Sequence, residues 1–390
     1  MTKVSFDNTE VAFKHKTDAE LKQAKWLFSV FNYKALVRFG PDLTSFGLKL
    51  GLPIKGLVKK TIFKQFCGGE TIEECNQAAE ELMNSGVGSI LDYSVEGVED
   101  EATFSENLKE IKRTIIAAAT EDKYPFAVFK CTGIGKFDIF QKASENTLSQ
   151  ADQISLENIK TKLYDIAQTA VDNNVRLLID AEETWIQPII DELVMELMEK
   201  HNQDKVLIYN TLQMYRVDRL DYLNSTIAIA RQKGFQLGYK LVRGAYMEKE
   251  RERAEDKGYP DPIQPNKEST DRDFNAALTE CFNNRDIVAT CLGTHNEESS
   301  KLLADLMNTE NVSLNDSRFW FAQLYGMSDN ISFNLANSGY NVAKYLPYGP
   351  VSAVLPYLGR RAQENSSVAG QVGREMSLIV KELRRRKTAD

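Results

Sequence analysis

The feature that most constrains the fold is an alternation of short, β-rich apolar runs with longer stretches of helical character. The eight runs are Ser89 to Val95, Phe126 to Cys131, Val175 to Ile179, Val206 to Tyr209, Gln236 to Val242, Ile287 to Thr290, Phe319 to Leu324 and Val342 to Leu346. Strands that alternate with helices pair in parallel through right-handed crossovers, and eight such units favour closure into a barrel. The sequence therefore predicts an α/β chain built on a (β/α)8 TIM-like barrel.

Three regions are expected along the chain. Residues 1–86 should form a helical N-terminal region, because Asp18 to Phe39 and Glu70 to Met83 have helical character and Thr71 is a suitable N-cap. Residues 87–370 should form the barrel, and residues 371–390 a basic C-terminal tail. A final helix is expected to lie over the mouth of the barrel, beginning near Leu355.

Two basic segments stand out in a chain whose net charge is -8. Leu43 to Phe66 interleaves lysines with apolar residues, and Lys381 to Lys387 contains three arginines. Such a segment can pack its apolar side on the protein, or it can lie on an anionic membrane surface. Packing is the favoured interpretation, because most amphipathic helices face a core.

Composition and motifs exclude several classes of function. The net negative charge argues against general nucleic-acid binding. The five cysteines contain no CxxC pair, and the three histidines have no HExxH spacing, so neither a disulfide framework nor a metal site is indicated. No apolar run reaches the length of a membrane span and the N-terminus lacks a signal-peptide core, so the expected location is the cytoplasm.

Polar residues end most of the predicted strands, where a barrel of this type gathers its active site. They are Asp92, Glu96, Lys130, Asp180, Glu182, Glu183, Asn210, Lys240, Arg243, Thr294, His295, Asn296, Gln323 and Tyr345. No nucleophile elbow or glycine-rich phosphate loop accompanies them. Before its context is considered, the favoured interpretation of His295 is a helix-capping or core histidine.

The stretch after the eighth run adds further charge. Tyr357, Arg360, Arg361 and Glu364 stand at i, i+3, i+4 and i+7, which places them on one helical face. Two adjacent guanidiniums suit a carboxylate or phosphate ligand. Taken alone, the same spacing also fits a solvated face with Arg–Glu pairs.

Seven of these stretches, taken in order, resemble the proline dehydrogenase family. They are Leu91-Asp-Tyr-Ser-Val-Glu96, Asp180-Ala-Glu-Glu183, Asn210-Thr-Leu-Gln213, Lys240-Leu-Val-Arg-Gly-Ala-Tyr246, Thr294-His-Asn296, Gln323-Leu-Tyr-Gly-Met327 and Tyr345 to Val368. The resemblance runs from about Gly86 to Val368. It implies a flavoenzyme in which FAD, held in the barrel, accepts a hydride from L-proline to give 1-pyrroline-5-carboxylate.

The resemblance also implies roles for individual residues. Asp180 and Lys240 match catalytic positions, and Glu96 matches the acid that pairs with Arg360 to shut the pocket. The matching substrate-binding positions are Lys130, Tyr246, Leu324, Tyr345, Tyr357, Arg360 and Arg361. The matching flavin-binding positions are Ala181, Asn210, Lys240, Arg243, Gly244, Ala245, Lys267, Thr294, His295 and Glu364.

Some positions depart from many bacterial relatives and favour the mitochondrial-type branch. Those relatives have Arg for Lys240, Gln for Asn210, Trp for Met247 and Thr for Pro265. The chain is too short to add an aldehyde dehydrogenase, so a monofunctional enzyme is expected. The phenol of Tyr345 favours proline over hydroxyproline as substrate, since relatives that act on hydroxyproline are expected to carry a smaller residue there.

The resemblance implies a membrane quinone as electron acceptor. The two basic segments leave peripheral contact at the inner face of the membrane as one arrangement. Three alternatives stay open at this point. They are a hydroxyproline dehydrogenase, a membrane-associated relative without catalysis, and a phosphate-binding isomerase suggested by fold alone.

Overall fold

The computed structural model describes residues 4–30, 55–94, 99–367 and 371–389. Its eight strands close in chain order into a parallel barrel, which confirms the predicted fold class. The strands are β1 (Val87–Tyr93), β2 (Phe126–Lys130), β3 (Arg176–Asp180), β4 (Ile208–Gln213), β5 (Leu237–Val242), β6 (Val288–Gly293), β7 (Phe319–Leu324) and β8 (Val342–Tyr348).

Helices precede, connect and follow these strands. Before β1 lie α1 (Thr9–Phe13), α2 (Asp18–Val30), α3 (Lys55–Val58), a π-helical turn (Lys59–Phe63), α4 (Lys64–Phe66) and α5 (Ile72–Met83). Between the strands lie α6 (Glu101–Thr120), α7 (Phe137–Ser144), α8 (Gln150–Asp172), α9 (Gln187–His201), α10 (Arg219–Lys233), α11 (Met247–Lys257), α12 (Lys267–Asn283), α13 (Glu297–Thr309) and α14 (Asp329–Asn337). After β8 come α15 (Leu355–Ser367) and α16 (Gln371–Ala389).

Local sequence signals place several of these boundaries where they were expected. The strand β7 has the predicted limits, and α15 begins at Leu355. Thr71 caps α5, because its hydroxyl accepts a hydrogen bond from the Glu74 amide at 3.3 Å. Other strands are displaced by one to three residues, and β4 runs four residues further toward its C-terminus than the apolar run that predicted it.

The chain divides into two compact units. The central unit, residues 98–322, contains β2 to β6 and most of β7. Its strands are almost entirely buried, and adjacent strands align Lys130 with Asp180 and Thr211 with Lys240. This register brings polar residues near the C-terminal ends of neighbouring strands to a similar level.

The terminal unit, residues 2–97 and 323–390, contains β1 and β8 together with the N- and C-terminal helices. A buried group of charges lies inside it. The Asp329 carboxylate forms ion pairs with the ammonium groups of Lys16 and Lys344, both at 2.8 Å. The Nε2 atom of His15 lies 3.7 Å from the same carboxylate. His15 also stacks on Phe333, with ring centroids 4.0 Å apart.

Several basic side chains in the described parts of the two basic segments make contacts within the chain. Residues 43–54 lie outside the described part, but Lys55, Lys59 and Lys64 form ion pairs with Glu70, Glu74 and Glu20. The C-terminal residues, expected only as a basic tail, form the helix α16. Its Arg386 donates hydrogen bonds to the Phe13 and Lys16 carbonyls, at 2.8 and 2.9 Å.

Within the described ranges, no helix is long and apolar enough to cross a membrane. The five cysteines are buried free thiols.

Candidate active site

The central unit contains a buried ion pair that joins β3 and β5 across the intervening strand β4. Lys240, on β5, donates a hydrogen bond to the carboxylate of Asp180, the last residue of β3. The lysine is only 4% exposed. Thus the two residues predicted as catalytic do meet in the structure.

A buried carboxylic acid ties together the loops that follow β2 and β3. The Glu182 carboxylate accepts hydrogen bonds from both the amide and the hydroxyl of Thr132, the amide at 3.0 Å. Burial raises the pKa of Glu182 to about 7, even though these hydrogen bonds act in the opposite direction. Thr132 follows Lys130 by two residues, so the contact fixes the segment that carries this predicted substrate residue.

Gln213 extends this network toward β5. Its side-chain nitrogen donates to the Glu182 carbonyl at 2.7 Å, and its side-chain oxygen accepts from the Ala245 amide at 3.3 Å. Three consecutive active-site loops, those after β3, β4 and β5, are therefore connected by one amide side chain.

The predicted flavin residue Asn210 is fully buried, and hydrogen bonds fix its side chain. Its side-chain nitrogen donates to Asp191 at 2.9 Å, and its oxygen accepts from the Thr211 amide at 2.8 Å. Asp191 in turn forms a buried ion pair with Arg219 at 2.6 Å. A buried charge pair thus fixes the orientation of this amide.

A second cationic group follows β5 and β6. Arg243 donates to Thr294 at 2.7 Å and to Ser299 at 3.1 Å, and it forms an ion pair with Asp271 at 2.6 Å. Lys267 also pairs with Asp271. Burial alone would raise the pKa of Asp271, but hydrogen bonds from Lys267 and Arg243 outweigh that effect and lower it. Two predicted flavin residues, Arg243 and Lys267, therefore share one carboxylate, and a third, Thr294, accepts a hydrogen bond from Arg243.

The backbone beside Arg243 requires glycine. Gly244 has a φ of +139°, and a Cβ placed there would lie 2.4 Å from the ring of Tyr215. The next two predicted residues are an exposed Ala245 and a half-buried Tyr246, which is the N-cap of α11. Because Gly244 has no side chain, the main chain of this turn can approach a ligand closely.

The remaining predicted residues of the central unit lie at strand ends. Ala181 directly follows β3 and is 9% exposed. His295 is half-buried and directly precedes Asn296, which caps α13 by accepting from the Ser299 amide at 2.9 Å. The capping role that was considered for His295 therefore belongs to its neighbour.

The other predicted residues belong to the terminal unit. Tyr345 lies on β8, and Tyr357, Arg360 and Arg361 lie on α15. Tyr345, Tyr357 and Arg361 are nearly buried, and the Arg361 guanidinium lies 5.1 Å from the centre of the Tyr357 ring. The burial of Arg361 decides against a fully solvated face for this part of the helix.

Three further positions complete the predicted set. Leu324 is the half-buried last residue of β7. Glu364 lies within α15, but its side chain is outside the described part of the chain, and Glu96 is outside it altogether. The predicted roles of both glutamates therefore stay predictions.

The structure adds partners that had no role in the sequence analysis, namely Asp191, Arg219, Glu250 and Asp271. Each lies on a helix next to apolar or charged residues, and no local pattern distinguishes it from a surface residue. Gln213 had a weak signal, since it ends the Asn210 motif. In the described ranges, no group of three or more His, Cys, Asp or Glu side chains is arranged to hold a metal ion.

Solved structures with the same architecture place the fold in a known class. The structure of proline utilization A from Bdellovibrio bacteriovorus, inactivated by N-propargylglycine, matches with a TM-score of 0.76 and 20% sequence identity. The match covers 89% of this chain and 38% of that one. At this identity the likeness concerns the fold, a (β/α)8 barrel with additional helices.

Sequence relatives define the family. The model of the proline dehydrogenase family matches residues 75–374. The chain belongs to the proline dehydrogenase family and is an oxidoreductase of that class, as predicted.

Individual relatives differ in what they are named for. The chain is 38% identical over 324 residues to the carbapenem antibiotics biosynthesis protein CarD of Pectobacterium carotovorum subsp. carotovorum, covering 82% of this chain and 83% of that protein. It is 40% identical over 244 residues to mitochondrial proline dehydrogenase 1 of Caenorhabditis elegans, covering 61% of this chain. The chain spans only 40% of the length of the C. elegans protein.

Proposed function

We propose that this protein catalyses the FAD-dependent oxidation of L-proline to 1-pyrroline-5-carboxylate, the first step of proline breakdown. The observation that carries the proposal is the family match over residues 75–374, because this range includes every predicted site residue. The relative from C. elegans is named as a proline dehydrogenase.

The central unit offers suitable groups for a flavin dinucleotide. A pyrophosphate needs fixed cations and backbone that can come close, and Arg243, Lys267 and the Gly244 turn provide both. Thr294 and His295 complete the hydrogen-bonding set on the β6 side. Asn210, held by Asp191, offers an oriented amide, so the residues present fit the cofactor.

Bound FAD would supply the acceptor for the hydride that leaves proline. The fixed ammonium of Lys240 would stabilise the negative charge that accumulates during this transfer. Asp180 would keep that ammonium oriented through its hydrogen bond. The network of Glu182, Gln213 and Ala245 would hold the surrounding loops in place before proline binds.

A further set of predicted residues would recognise proline. Arg360, Arg361 and Lys130 are assigned to the substrate carboxylate, since guanidinium forks match carboxylate geometry. Tyr345 and Tyr357 are assigned to the apolar ring. The burial of Arg361 against Tyr357 supports this assignment. A cation that is already buried and held in place binds a carboxylate more tightly than a solvated one does.

A second candidate substrate is hydroxyproline. The chain is 31% identical over 413 residues to the hydroxyproline dehydrogenase of Xenopus laevis. The bulk and burial of Tyr345 favour the unsubstituted ring. Comparing kcat/KM for the two amino acids with wild type and Tyr345→Ser separates the candidates: wild type should prefer proline, and the smaller residue should reduce that preference. A wild-type preference for hydroxyproline would reverse the assignment.

A membrane quinone is proposed as the electron acceptor, and the protein is proposed to act in the cytoplasm. Direct membrane contact is proposed as an alternative arrangement. It receives limited support from the basic segments, because Lys55, Lys59 and Lys64 already pair with acids of the same unit.

Flavin spectroscopy tests the proposal directly. Purified protein should absorb near about 450 nm, bleach when proline is added without oxygen, and recover its colour with a quinone analogue. Liposome flotation of the oxidised and the proline-reduced protein would test membrane contact separately. Folded protein that stays colourless and takes up no FAD would rule out the proposed activity.

A further inference from the structure

The helix α11 presents an unusual case of burial. Nine of the 11 residues in Met247–Lys257 are charged, yet Glu250 is 0% exposed. Apart from Glu250, only Ala254 is buried on this helix. Since α11 has almost no apolar surface to bury, its attachment depends on specific polar contacts.

These contacts reach one short segment after β3. The two Glu250 carboxylate oxygens accept hydrogen bonds from the Thr184 amide at 2.7 Å and the Thr184 hydroxyl at 2.6 Å. Lys249 forms an ion pair with Glu183, the residue before Thr184. The Arg253 guanidinium lies 4.4 Å from the centre of the ring of Trp185, the residue after Thr184.

Of these three contacts, the one between Glu250 and Thr184 is the best shielded from solvent. The Lys249 side chain is exposed, so its ion pair with Glu183 contributes little to stability on its own. Burial raises the pKa of Glu250, while the two hydrogen bonds from Thr184 oppose that increase. A buried carboxylate with both oxygens engaged resists small displacements, because moving it leaves a desolvated acceptor.

The contact joins two turns that carry site residues. Thr184 follows Ala181 by three residues, and the Glu250 amide donates to the Tyr246 carbonyl at 2.9 Å. Displacing Glu250 therefore displaces the first turn of α11 and its N-cap residue Tyr246, which directly follows Ala245.

We propose that Glu250 is a positioning residue, which through Thr184 sets Tyr246 and Ala245 relative to Asp180 and Ala181. It acts on binding without touching substrate. This inference rests on the proposed function, in which Tyr246 lines the proline pocket and Ala245 contacts the flavin.

Three substitutions and one matched control separate positioning from simple structural support. Thr184→Val removes one hydrogen bond at nearly constant volume, and Glu250→Gln replaces the carboxylate. Thr184→Ser keeps both hydrogen bonds and serves as the rescue. Glu252→Gln changes an exposed acid on the same helix and is the matched control.

The measurements are KM and kcat for proline and hydrogen exchange of the amides of residues 244–250. Thr184→Val and Glu250→Gln should raise KM about tenfold, which is about 1.4 kcal/mol, with a smaller change in kcat. Exchange in residues 244–250 should become faster in both. Thr184→Ser and Glu252→Gln should behave like wild type in both measurements.

Two results would overturn the inference in different ways. If wild type is active but Thr184→Val and Glu250→Gln keep its KM and show only a lower melting temperature, the proposed function stands and the positioning role is removed. A wild type that neither binds flavin nor responds to proline would overturn both, and this outcome is visible before any variant is made.

Discussion

The ammonium of Lys240 donates a hydrogen bond to the carboxylate of Asp180, although the strand β4 lies between the strands that carry them. The lysine side chain is 5% exposed and the aspartate side chain 17%. An ammonium this deeply buried destabilises the fold less when a carboxylate accepts its hydrogen bond.

Asp180→Asn should therefore destabilise the protein, because it leaves a buried ammonium without the opposite charge of this partner. We expect the free energy of unfolding to fall by about 3 kcal/mol. Urea denaturation measures it. The control Asp138→Asn, which breaks an exposed pair with Lys142, should leave it nearly unchanged. Adding Lys240→Met to Asp180→Asn should recover part of the loss, and no recovery would contradict the explanation by charge.

Arg361→Lys should weaken proline binding more than it slows turnover. Lysine lacks the planar fork that binds a carboxylate in two places and that packs on the Tyr357 ring. Under the proposed function the cost in binding is about 2 to 5 kcal/mol. Titration of flavin bleaching by proline measures it. Arg374→Lys, at an exposed ion pair with Asp7, is the matched control and should bind proline normally. Unchanged affinity in Arg361→Lys would remove this residue from the pocket.

Gly244→Ala should reduce both stability and flavin content. The substitution combines an unfavourable φ of +139° with a contact of 2.4 Å to the Tyr215 ring. Together these should cost about 2 to 5 kcal/mol. Gly258→Ala is a milder control for backbone strain, because Gly258 has a positive φ of +71° and nothing lies within 4 Å of its added Cβ. It should cost only about 1 kcal/mol. Thermal melting and the ratio of flavin to protein absorbance measure both variants, and equal losses would argue against a close approach at Gly244.

His15 should make stability depend on pH in the acidic range. Burial lowers its pKa to about 4, and the neighbouring cations Lys16 and Lys344 add to this effect while Asp329 opposes it. Between about pH 6.5 and pH 4 the unfolded chain then binds more protons than the folded chain, so the free energy of unfolding falls as the pH decreases.

His15→Phe keeps an aromatic ring for stacking on Phe333 but cannot take up a proton. Relative to wild type, the loss of stability between pH 7 and pH 4.5 should shrink by about 2 kcal/mol. Urea denaturation at the two pH values measures the difference. A variant with the same pH dependence as wild type would show that His15 is not the responsible group.

Much of the architecture could be predicted from local patterns. Apolar runs placed all eight strands within a few residues, and Thr71 and Leu355 marked the starts of two helices correctly. The ordered motifs identified the family, which the match over residues 75–374 confirms. Such signals are readable because side-chain periodicity and capping depend on residues that are close in sequence.

The sequence by itself thus determined the barrel, its strand order and the family. Only the tertiary structure decided which side chains meet. Lys240 and Asp180 are 60 residues apart, and Glu250 and Thr184 are 66 apart. Nothing in the charged sequence of α11 marks Glu250 as buried. The reason is physical: burial and ion pairing depend on which strand ends and helices the closed barrel brings together, and that proximity is a property of the whole fold.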